Sequence, residues 1–289
     1  MKILYGTSLE KSINITQICL DKLSTDDIIT IPRNDVTRAG LFTDPEYGVV
    51  KKIFIDNVEY DAFTEIKIKN GVVESVIDDQ DASIRKIHSQ LKMKHGSLTE
   101  ELPEQKMAVK YLTGTEKVLE IGSNVGRNSL VIASILEDDT QLVTLECDPY
   151  TVKQLTENRD LNGFRFKIVP CALSKRKLIQ RGWDTKPSET LLDGYTWVNT
   201  ITFDELKKEN GDFDTLVLDC EGAFYYILMD MPEILDNIKM IIVENDYHDF
   251  SHKQYVDINL RSLNFEVVYK EAGGWGPCYN CFYEVWKRD

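Results

Sequence analysis

The chain has 289 residues, of which 42% are hydrophobic and 28% charged, and its formal net charge is −14 at pH 7. This balance is typical of a globular protein with one large domain, or with a catalytic domain of about 200 residues and a smaller partner. The acidic charge disfavours a nucleic-acid substrate held mainly through its phosphates. No apolar run reaches the length of a membrane span and no signal-peptide pattern opens the chain, so we expect a cytoplasmic location.

Residues 1–80 predict a small β-rich domain. Short β-branched or alternating runs are separated there by polar turns, at 2–5, 13–16, 28–31, 49–55 and 63–69. The intervening stretch 33–47 carries Asp35, Arg38 and Asp44, which are candidates for contacting a sugar or a partner surface. An ordinary solvated loop is the preferred interpretation, because loops are polar by default.

Residues 81–114 predict a helical connector. Ile84, Ile87 and Leu91 recur at helical spacing among charged residues and predict a helix over 81–96. A second helix is expected over 102–112, ending before Gly114.

The stretch 118–133 predicts a nucleoside cradle at the start of a third region, 115–289. A short apolar strand turns on Gly122 and Gly126 and leads into an apolar helix. Glycines there let the backbone approach a ligand, and a helix amino terminus offers unpaired N–H groups. The spacing differs from the Gly-x-Gly-x-x-Gly pattern that holds a pyrophosphate. Glu120 would repel a phosphate and favour a ribose hydroxyl or a cation, which indicates S-adenosylmethionine.

The next two predicted strands supply further cradle residues. A strand over 141–146 ends in Glu146, which follows Gly122 by 24 positions. An acid at about that distance reaches the ribose hydroxyls of a bound nucleoside. The strand over 164–169 is followed by the loop 170–174, placed where an adenine would lie, and the polar stretch 175–195, which includes Trp183, is predicted to be an acceptor-side flap.

Four polar side chains are expected together at the carboxyl edge of the sheet. A strand over 215–218 leads to Asp219 and Glu221, and a strand over 240–243 leads to Glu244 and His248. Open α/β sheets bind their ligands at this edge. Crowded acids titrate high or share a cation, so Asp219, Glu221 and Glu244 are also candidate ligands for a divalent metal.

The chain ends in two predicted strands, over 265–269 and 278–286, with no helix between them. They should pair as an antiparallel hairpin that closes a mostly parallel sheet. This ending is unusual for a nicotinamide-binding domain.

These motifs resemble the FkbM family of S-adenosylmethionine-dependent methyltransferases. The resemblance rests on 118–133, Glu146 with Pro149, 170–174, 198–206 and 217–223, and covers roughly residues 100–288. It implies a Rossmann-like class I methyltransferase sheet. It also implies cofactor contacts from Glu120, Gly122, Ser123, Asn124 and Gly126, ribose binding by Glu146, and an adenine bordered by Cys171, Ala172 and Leu173.

The same resemblance implies that Asp219 and Glu221 mark the acceptor side, where hydroxyl groups of sugars or natural products are common substrates. The chain departs from the family pattern at Phe224, where members often carry a further acid. The β-rich domain lies outside the family core.

We therefore predict an O-methyltransferase that acts on a hydroxyl of a sugar, a glycan or a related small molecule. A hydroxyl is a poor nucleophile until a base or a metal activates it, so His248 or Asp219 is expected to take the proton while Glu221 and Glu244 orient the acceptor or hold a metal. The alternative is a non-catalytic glycan-binding or scaffolding protein with a relic methyltransferase fold. A nicotinamide oxidoreductase is disfavoured by the glycine spacing and the closing hairpin.

Overall fold

The computed structural model describes residues 1–47, 49–62, 64–76, 79–182 and 184–288. The chain divides into two compact units, Met1–Ser83 and Ile84–Asp289. Most of the predicted connector 81–114 therefore belongs to the second unit. Within the described ranges, no helix combines the length and the apolar character needed to cross a membrane.

The first unit consists of two antiparallel four-stranded sheets and two helices. Its sheets have the orders β2-β1-β5-β6 and β3-β4-β7-β8. The predicted β-rich character is confirmed. Its elements are β1 (Ile3–Gly6), β2 (Ser12–Asn14), α1 (Thr16–Lys22), β3 (Ser24–Thr25), β4 (Ile28–Ile31), α2 (Asp35–Phe42), β5 (Lys52–Ile55), β6 (Val58–Tyr60), β7 (Glu65–Lys69) and β8 (Val72–Val76).

Alternation along the strands builds the core of this unit. In β7, Ile66 and Ile68 are buried while Lys67 between them is half-buried, which is the period-two pattern of a strand with one apolar face. Phe42 of α2 packs into the same core. The sequence run at 63–69 begins with Phe63, which lies outside the described residues.

Arg38 is a structural residue of this unit and not part of a solvated loop. Helix α2 covers most of the stretch expected to be a loop, and Arg38 is fully buried within it. Its guanidinium donates to the carbonyl oxygens of Pro32 (2.7 Å), Asp61 (2.8 Å) and Thr64 (2.6 Å). A buried cation is tolerated when its donors are satisfied in this way.

The two acids of the same stretch are also engaged internally. The ammonium of Lys51 is buried and lies 3.1 Å from Asp35 Oδ2 and 2.8 Å from Asp44 Oδ1. The residues expected to be available to a sugar or a partner therefore serve packing within the unit.

The second unit alternates strands and helices, and helix α3 (Asp79–Gln90) crosses the boundary into it. Three short 3-10 helices lie at Asp139–Gln141, Pro232–Leu235 and Gly276–Cys281. The remaining elements are α4 (Leu102–Tyr111), β9 (Val118–Ile121), α5 (Arg127–Ile135), β10 (Leu142–Leu145), α6 (Pro149–Leu161), β11 (Lys167–Val169), β12 (Ala172–Leu173), β13 (Leu178–Arg181), β14 (Asp184–Pro187), β15 (Thr196–Val198), β16 (Thr200–Ile201), α7 (Phe203–Asn210), β17 (Thr215–Leu218), α8 (Phe224–Asp230), β18 (Met240–Glu244), α9 (Phe250–Ser262), β19 (Glu266–Glu271) and β20 (Tyr283–Lys287).

A seven-stranded sheet organises this unit, in the order β11-β10-β9-β17-β18-β20-β19. Strands β11, β10, β9, β17 and β18 are parallel, and β20 runs antiparallel between β18 and β19. The predicted closing hairpin is confirmed, and the fold is the Rossmann-like class I methyltransferase sheet. The strand order reverses between β9 and β17, which makes their carboxyl ends the expected ligand site.

Both faces of the sheet are covered, so its central strands are apolar throughout. Leu119 and Ile121 of β9 pack in one core cluster, while Val118 packs in the other with residues of α4 and α5. Alternate side chains of β9 therefore point to opposite faces, and this alternation decides where Glu120 lies.

Candidate active site

A cavity of about 770 Å³ opens at the carboxyl ends of β9, β10, β17 and β18. This volume falls within the range of roughly 300–1,000 Å³ that is usual for small-molecule sites. Its walls come from the strand ends, from α4 and from β13 and β14. The cavity therefore occupies the point where the strand order reverses.

Gly122 sets the closest approach between β9 and β17. Its φ is +87°, and a side-chain carbon at this position would overlap the backbone oxygen of Asp219. The N–H of Asp219 in turn donates to the carbonyl of Ile121 (3.1 Å). Only glycine fits this backbone conformation and this contact, and the contact forms the floor of the cavity.

Glu146 is held at the end of β10 by two backbone donors. Its Oε2 accepts from Asn124 N–H (3.0 Å) and its Oε1 accepts from Asp148 N–H (2.8 Å). Burial raises the pKa of this carboxyl. Each carboxylate oxygen has a second lone pair, so Glu146 retains acceptor capacity for a hydroxyl donor in the cavity.

Six of the nine predicted cofactor residues line this one cavity. They come from three separate strand ends, and they are Gly122, Asn124, Glu146, Cys171, Ala172 and Leu173. Their cofactor-binding roles stay predictions, and the structure brings them together.

Glu120 differs from the prediction. It lies on the face of β9 that α5 covers, because it is one residue out of step with Leu119 and Ile121. Its side chain is buried and Oε2 accepts from the Ser129 hydroxyl of α5 (2.5 Å). Burial raises its pKa to about 7. Glu120 therefore fastens α5 to the sheet and does not line the cavity.

Ser123 and Gly126 also support the turn from outside the cavity lining. The Ser123 hydroxyl donates to the Leu145 carbonyl (3.2 Å). Gly126 caps α5 at a φ of +91°, and a side-chain carbon there would overlap the Leu155 side chain of α6. The second glycine of the motif thus serves helix packing.

Seven lining residues carry carboxyl groups, and the described lining contains no lysine, arginine or histidine. Asp219, Glu221 and Glu244 are among them, as predicted for the sheet edge. The full acidic set is Glu101, Glu104, Glu146, Asp148, Asp219, Glu221 and Glu244.

Glu101 and Glu104 were missed in the sequence because they belong to the predicted connector. They lie at the start of α4, three positions apart and so on one helix face. Helix α4 packs against α5, β18 and β20, which brings that face to the cavity. Burial raises the pKa of Glu101 to about 7, although the Arg127 guanidinium lies 2.7 Å from its Oε1.

Burial raises the pKa of both acids at the ends of β17 and β18, Asp219 and Glu244. Burial raises the pKa of Glu244 to about 12, and a hydrogen bond with the Glu104 side chain adds to the rise. Burial also raises the pKa of Asp219 well above its usual range, and repulsion from Glu104 and Glu101 acts in the same direction. The carboxyl group of Glu244 is therefore protonated at neutral pH.

Asp246 is a third acid that the sequence did not single out, and it lies beside the cavity without being among its lining residues. Its Oδ1 accepts from Gly222 N–H (2.6 Å), which joins the turn after β17 to the chain after β18. Burial raises its pKa to about 7. The signal was present, because Asp246 follows Glu244 by two positions and such residues share a face of an extended chain.

His248 is not among the described residues that line the cavity, so its role as a base stays a prediction that this geometry does not support. Tyr247 is buried, and the chain then turns outward to the cap of α9 at Asp249. The exposed imidazole packs against Trp275, with ring centres 4.4 Å apart.

The predicted metal ligands line the cavity without forming a metal site. Across the described ranges, no group of three or more His, Cys, Asp or Glu side chains is placed to hold a metal ion. We therefore assign no metal to Asp219, Glu221 and Glu244.

The predicted flap is an antiparallel sheet of β14, β13 and β15. Leu178, Gln180 and Thr185 of this sheet line the cavity. Gln180 Oε1 lies 3.7 Å from the sulfur of Cys147, next to Glu146. The segment thus borders the β10 side of the cavity, and its role as an acceptor-side flap stays a prediction. Trp183 lies outside the described residues.

Comparison with known proteins finds solved structures to which this chain is similar. An O-methyltransferase from Bacillus cereus in complex with SAH has 13% identity and a TM-score of 0.41, covering 73% of this chain and 92% of its own. A ribosomal protein L11 methylase from Lactobacillus delbrueckii subsp. bulgaricus has 12% identity and a TM-score of 0.40, covering 64% and 74%. A protein in the NADB-Rossmann superfamily from Streptococcus agalactiae has 14% identity and a TM-score of 0.40, covering 64% and 67%. No family model and no curated protein matches the chain.

We expect Gly122→Ala to destabilise the second unit by about 1–3 kcal/mol through overlap, beyond the cost of its backbone conformation. Gly163→Ala is the matched control, because Gly163 has a φ of +71° with open space around its Cβ position. The free energies of unfolding from urea titrations measure the difference. Equal losses of unfolding free energy in the two variants would contradict the conclusion that the contact with Asp219 excludes a side chain at Gly122.

We expect the ligand-free protein to lose stability as pH rises from about 5 to about 8. Folding raises the pKa of Asp246 to about 7 and of Glu244 to about 12. The stabilisation from these protons is complete below the unfolded-state values of about 4 and is lost as pH rises through the folded values. Thermal unfolding measured across this range tests the sign.

Glu244→Gln keeps the shape of the neutral acid and should reduce the loss of stability between about pH 5 and about pH 8. We expect it to raise the free energy of unfolding at about pH 8 by roughly 1 kcal/mol or more. Glu266→Gln, on the exposed side of β19, should follow the unmodified protein. A Glu244→Gln curve parallel to that of the control would show that Glu244 is ionised in the folded state.

Proposed function

We propose that this protein is an S-adenosylmethionine-dependent methyltransferase. The observation that carries the proposal is the joining of Gly122, Asn124 and Glu146 in one cavity at the point where the strand order reverses. A carboxylate on the neighbouring strand end suits ribose hydroxyls. Leu145 and Leu173 add apolar wall on the same side, which suits an adenine.

The charge of the cavity supports a sulfonium cofactor over a dinucleotide. A pyrophosphate needs N–H groups and cations, whereas seven carboxyl groups and no basic side chain are found in the described lining. Acidic walls suit a ligand with a positive sulfur and an ammonium group. Bound there, S-adenosylmethionine would supply an electrophilic methyl group for transfer to an acceptor nucleophile.

The residues of the chain divide the remaining work between them. Asp219 lies half-buried at the cavity floor, and burial raises its pKa above the usual range of a carboxyl group, which makes its carboxylate a stronger base. We assign Asp219 the role of the base that removes the proton from an acceptor hydroxyl. Glu244 holds a proton while no ligand is bound, and its place at the end of β18 suits it to orient the acceptor, while Glu221 lies exposed at the rim.

We further propose transfer to oxygen, on a hydroxyl of a sugar or a related small molecule. The support for this finer statement is the resemblance of the motifs at 118–133, 146–149 and 217–223 to the FkbM family. The competing role, a non-catalytic glycan-binding protein, predicts no cofactor affinity.

We expect S-adenosylmethionine to bind with micromolar affinity and NADH to bind far more weakly, as measured by calorimetry. Glu146→Gln should weaken cofactor binding by about tenfold or more, because a charged acceptor for the ribose hydroxyls is lost. Glu209→Gln, on α7, is the control, since Glu209 pairs with Lys167 at the surface. Absence of S-adenosylmethionine binding would refute the proposed function.

We expect Asp219→Asn to lower methyl transfer by about 10²–10⁴-fold with cofactor affinity unchanged. Mass spectrometry of a sugar and metabolite panel, incubated with enzyme and cofactor, detects the gain of a methyl group. Asp204→Asn, at an exposed position of α7, should leave transfer intact. Full turnover by Asp219→Asn would remove Asp219 from the mechanism.

A further inference from the structure

We propose that the methyl acceptor carries a protonated amine, and that this ammonium group binds between Glu104, Asp219 and Glu244. The acceptor class is then an amino sugar or amino alcohol, in which the amine serves recognition and a hydroxyl remains the reacting group. The inference rests on the proposed methyltransferase function and adds the charge of the substrate to it.

Glu104 supplies the observation that points to a ligand. Glu104 lines the cavity, yet only 5% of its surface is exposed. Its Oε2 is buried and, among the described residues, accepts from no N–H or hydroxyl donor. Buried polar atoms of folded proteins are normally paired, and a buried carboxylate oxygen with no donor calls for a proton or a cation.

Two neighbouring acids, Glu244 and Asp219, also call for a proton or a cation beside Glu104. Glu244 shares a hydrogen bond with Glu104, and electrostatic repulsion from Glu104 helps to raise the pKa of Asp219. Shared protons relieve the repulsion between these acids when no cation is present. An ammonium group relieves it more completely, because it brings both a positive charge and three N–H donors.

This cluster lies apart from the position expected for the nucleoside. Glu146 ends β10 and Glu244 ends β18, and the sheet order places two strands between them. At the usual strand spacing the two ends are about 14 Å apart. A nucleoside on the Glu146 side therefore leaves Glu104 and Glu244 for the acceptor.

The described lining also excludes acceptors of the opposite charge. It offers no arginine, lysine or histidine that would pair with a phosphate or a carboxylate. Sugar phosphates, nucleotide sugars and uronic acids would meet repulsion, and a neutral sugar would leave the acids uncompensated. A cationic acceptor meets both conditions.

Matched ligands test the inference on the full chain saturated with S-adenosylhomocysteine. The cations are glucosamine, galactosamine and ethanolamine. The neutral partners are N-acetylglucosamine, N-acetylgalactosamine and ethylene glycol, and the acids are glucuronate, galacturonate and glycolate. We expect at least one cation to bind at millimolar concentration and about tenfold or more tighter than its neutral partner, with no binding of the acids. Equal or tighter binding of a neutral or acidic member, or no binding of any cation, overturns the inference.

Glu104→Gln should abolish this charge preference while S-adenosylhomocysteine affinity stays within about twofold of the original. Glu100→Gln is the matched control, because Glu100 is more than half exposed and pairs with Arg127 outside the cluster. A preference that survives Glu104→Gln also overturns the inference. Cofactor affinity is measured separately, so its absence refutes the proposed function, whereas cofactor binding without a charge preference refutes only the cationic acceptor.

Discussion

The approach of Gly122 to the backbone of Asp219 is the constraint on which the cavity depends. The two residues end the strands on either side of the reversal in strand order, and no side chain fits between them. Because the contact is between backbones, it fixes the relative height of the two strand ends. The turn that we propose binds the cofactor and the acid that we propose acts as the base are thereby held in one frame, independent of side-chain rotamers.

The second constraint is electrostatic. Burying several carboxyl groups around one space is costly unless protons or cations accompany them. The N-terminal unit meets the converse case differently, since each of the three guanidinium nitrogens of the buried Arg38 donates to a carbonyl oxygen. Glu104, at the cavity wall, keeps an oxygen with no N–H or hydroxyl donor in the described chain. The difference separates a buried charge that the fold itself satisfies from one that the fold leaves without a donor.

Sequence patterns predicted the sheet, its hairpin and the Gly122 turn because these depend on local signals. Apolar runs mark buried parallel strands, and glycine marks a backbone that a side chain would obstruct. Glu146 was found for the same reason, since its distance from Gly122 follows from one strand-helix-strand unit. These features need no knowledge of how distant segments pack.

The errors arose where side-chain direction or tertiary packing decides. Glu120 sits in the motif, but strand alternation turns it toward α5, and the motif alone does not reveal which face holds the ligand. His248 is four positions past Glu244, and the outward turn between them has no strong sequence signal. Glu104 was missed because only the packing of α4 on the sheet brings it to the cavity. Arg38 was taken for a loop residue because a satisfied buried cation looks polar in sequence.

Helix α4 lies ahead of the strand-turn-helix unit that begins at β9, and it contributes Glu101 and Glu104 to the cavity. The acid wall and the nucleoside turn are thus encoded by separate stretches of chain. Substitution of Glu104 would alter the charge of the cavity wall and leave the hydrogen bonds of Glu146 in place, whereas Glu101 accepts a hydrogen bond from Asn124 of the β9 turn (3.4 Å). Under the proposed function, part of the charge that an acceptor meets is therefore set by a helix that lies outside the proposed cofactor turn.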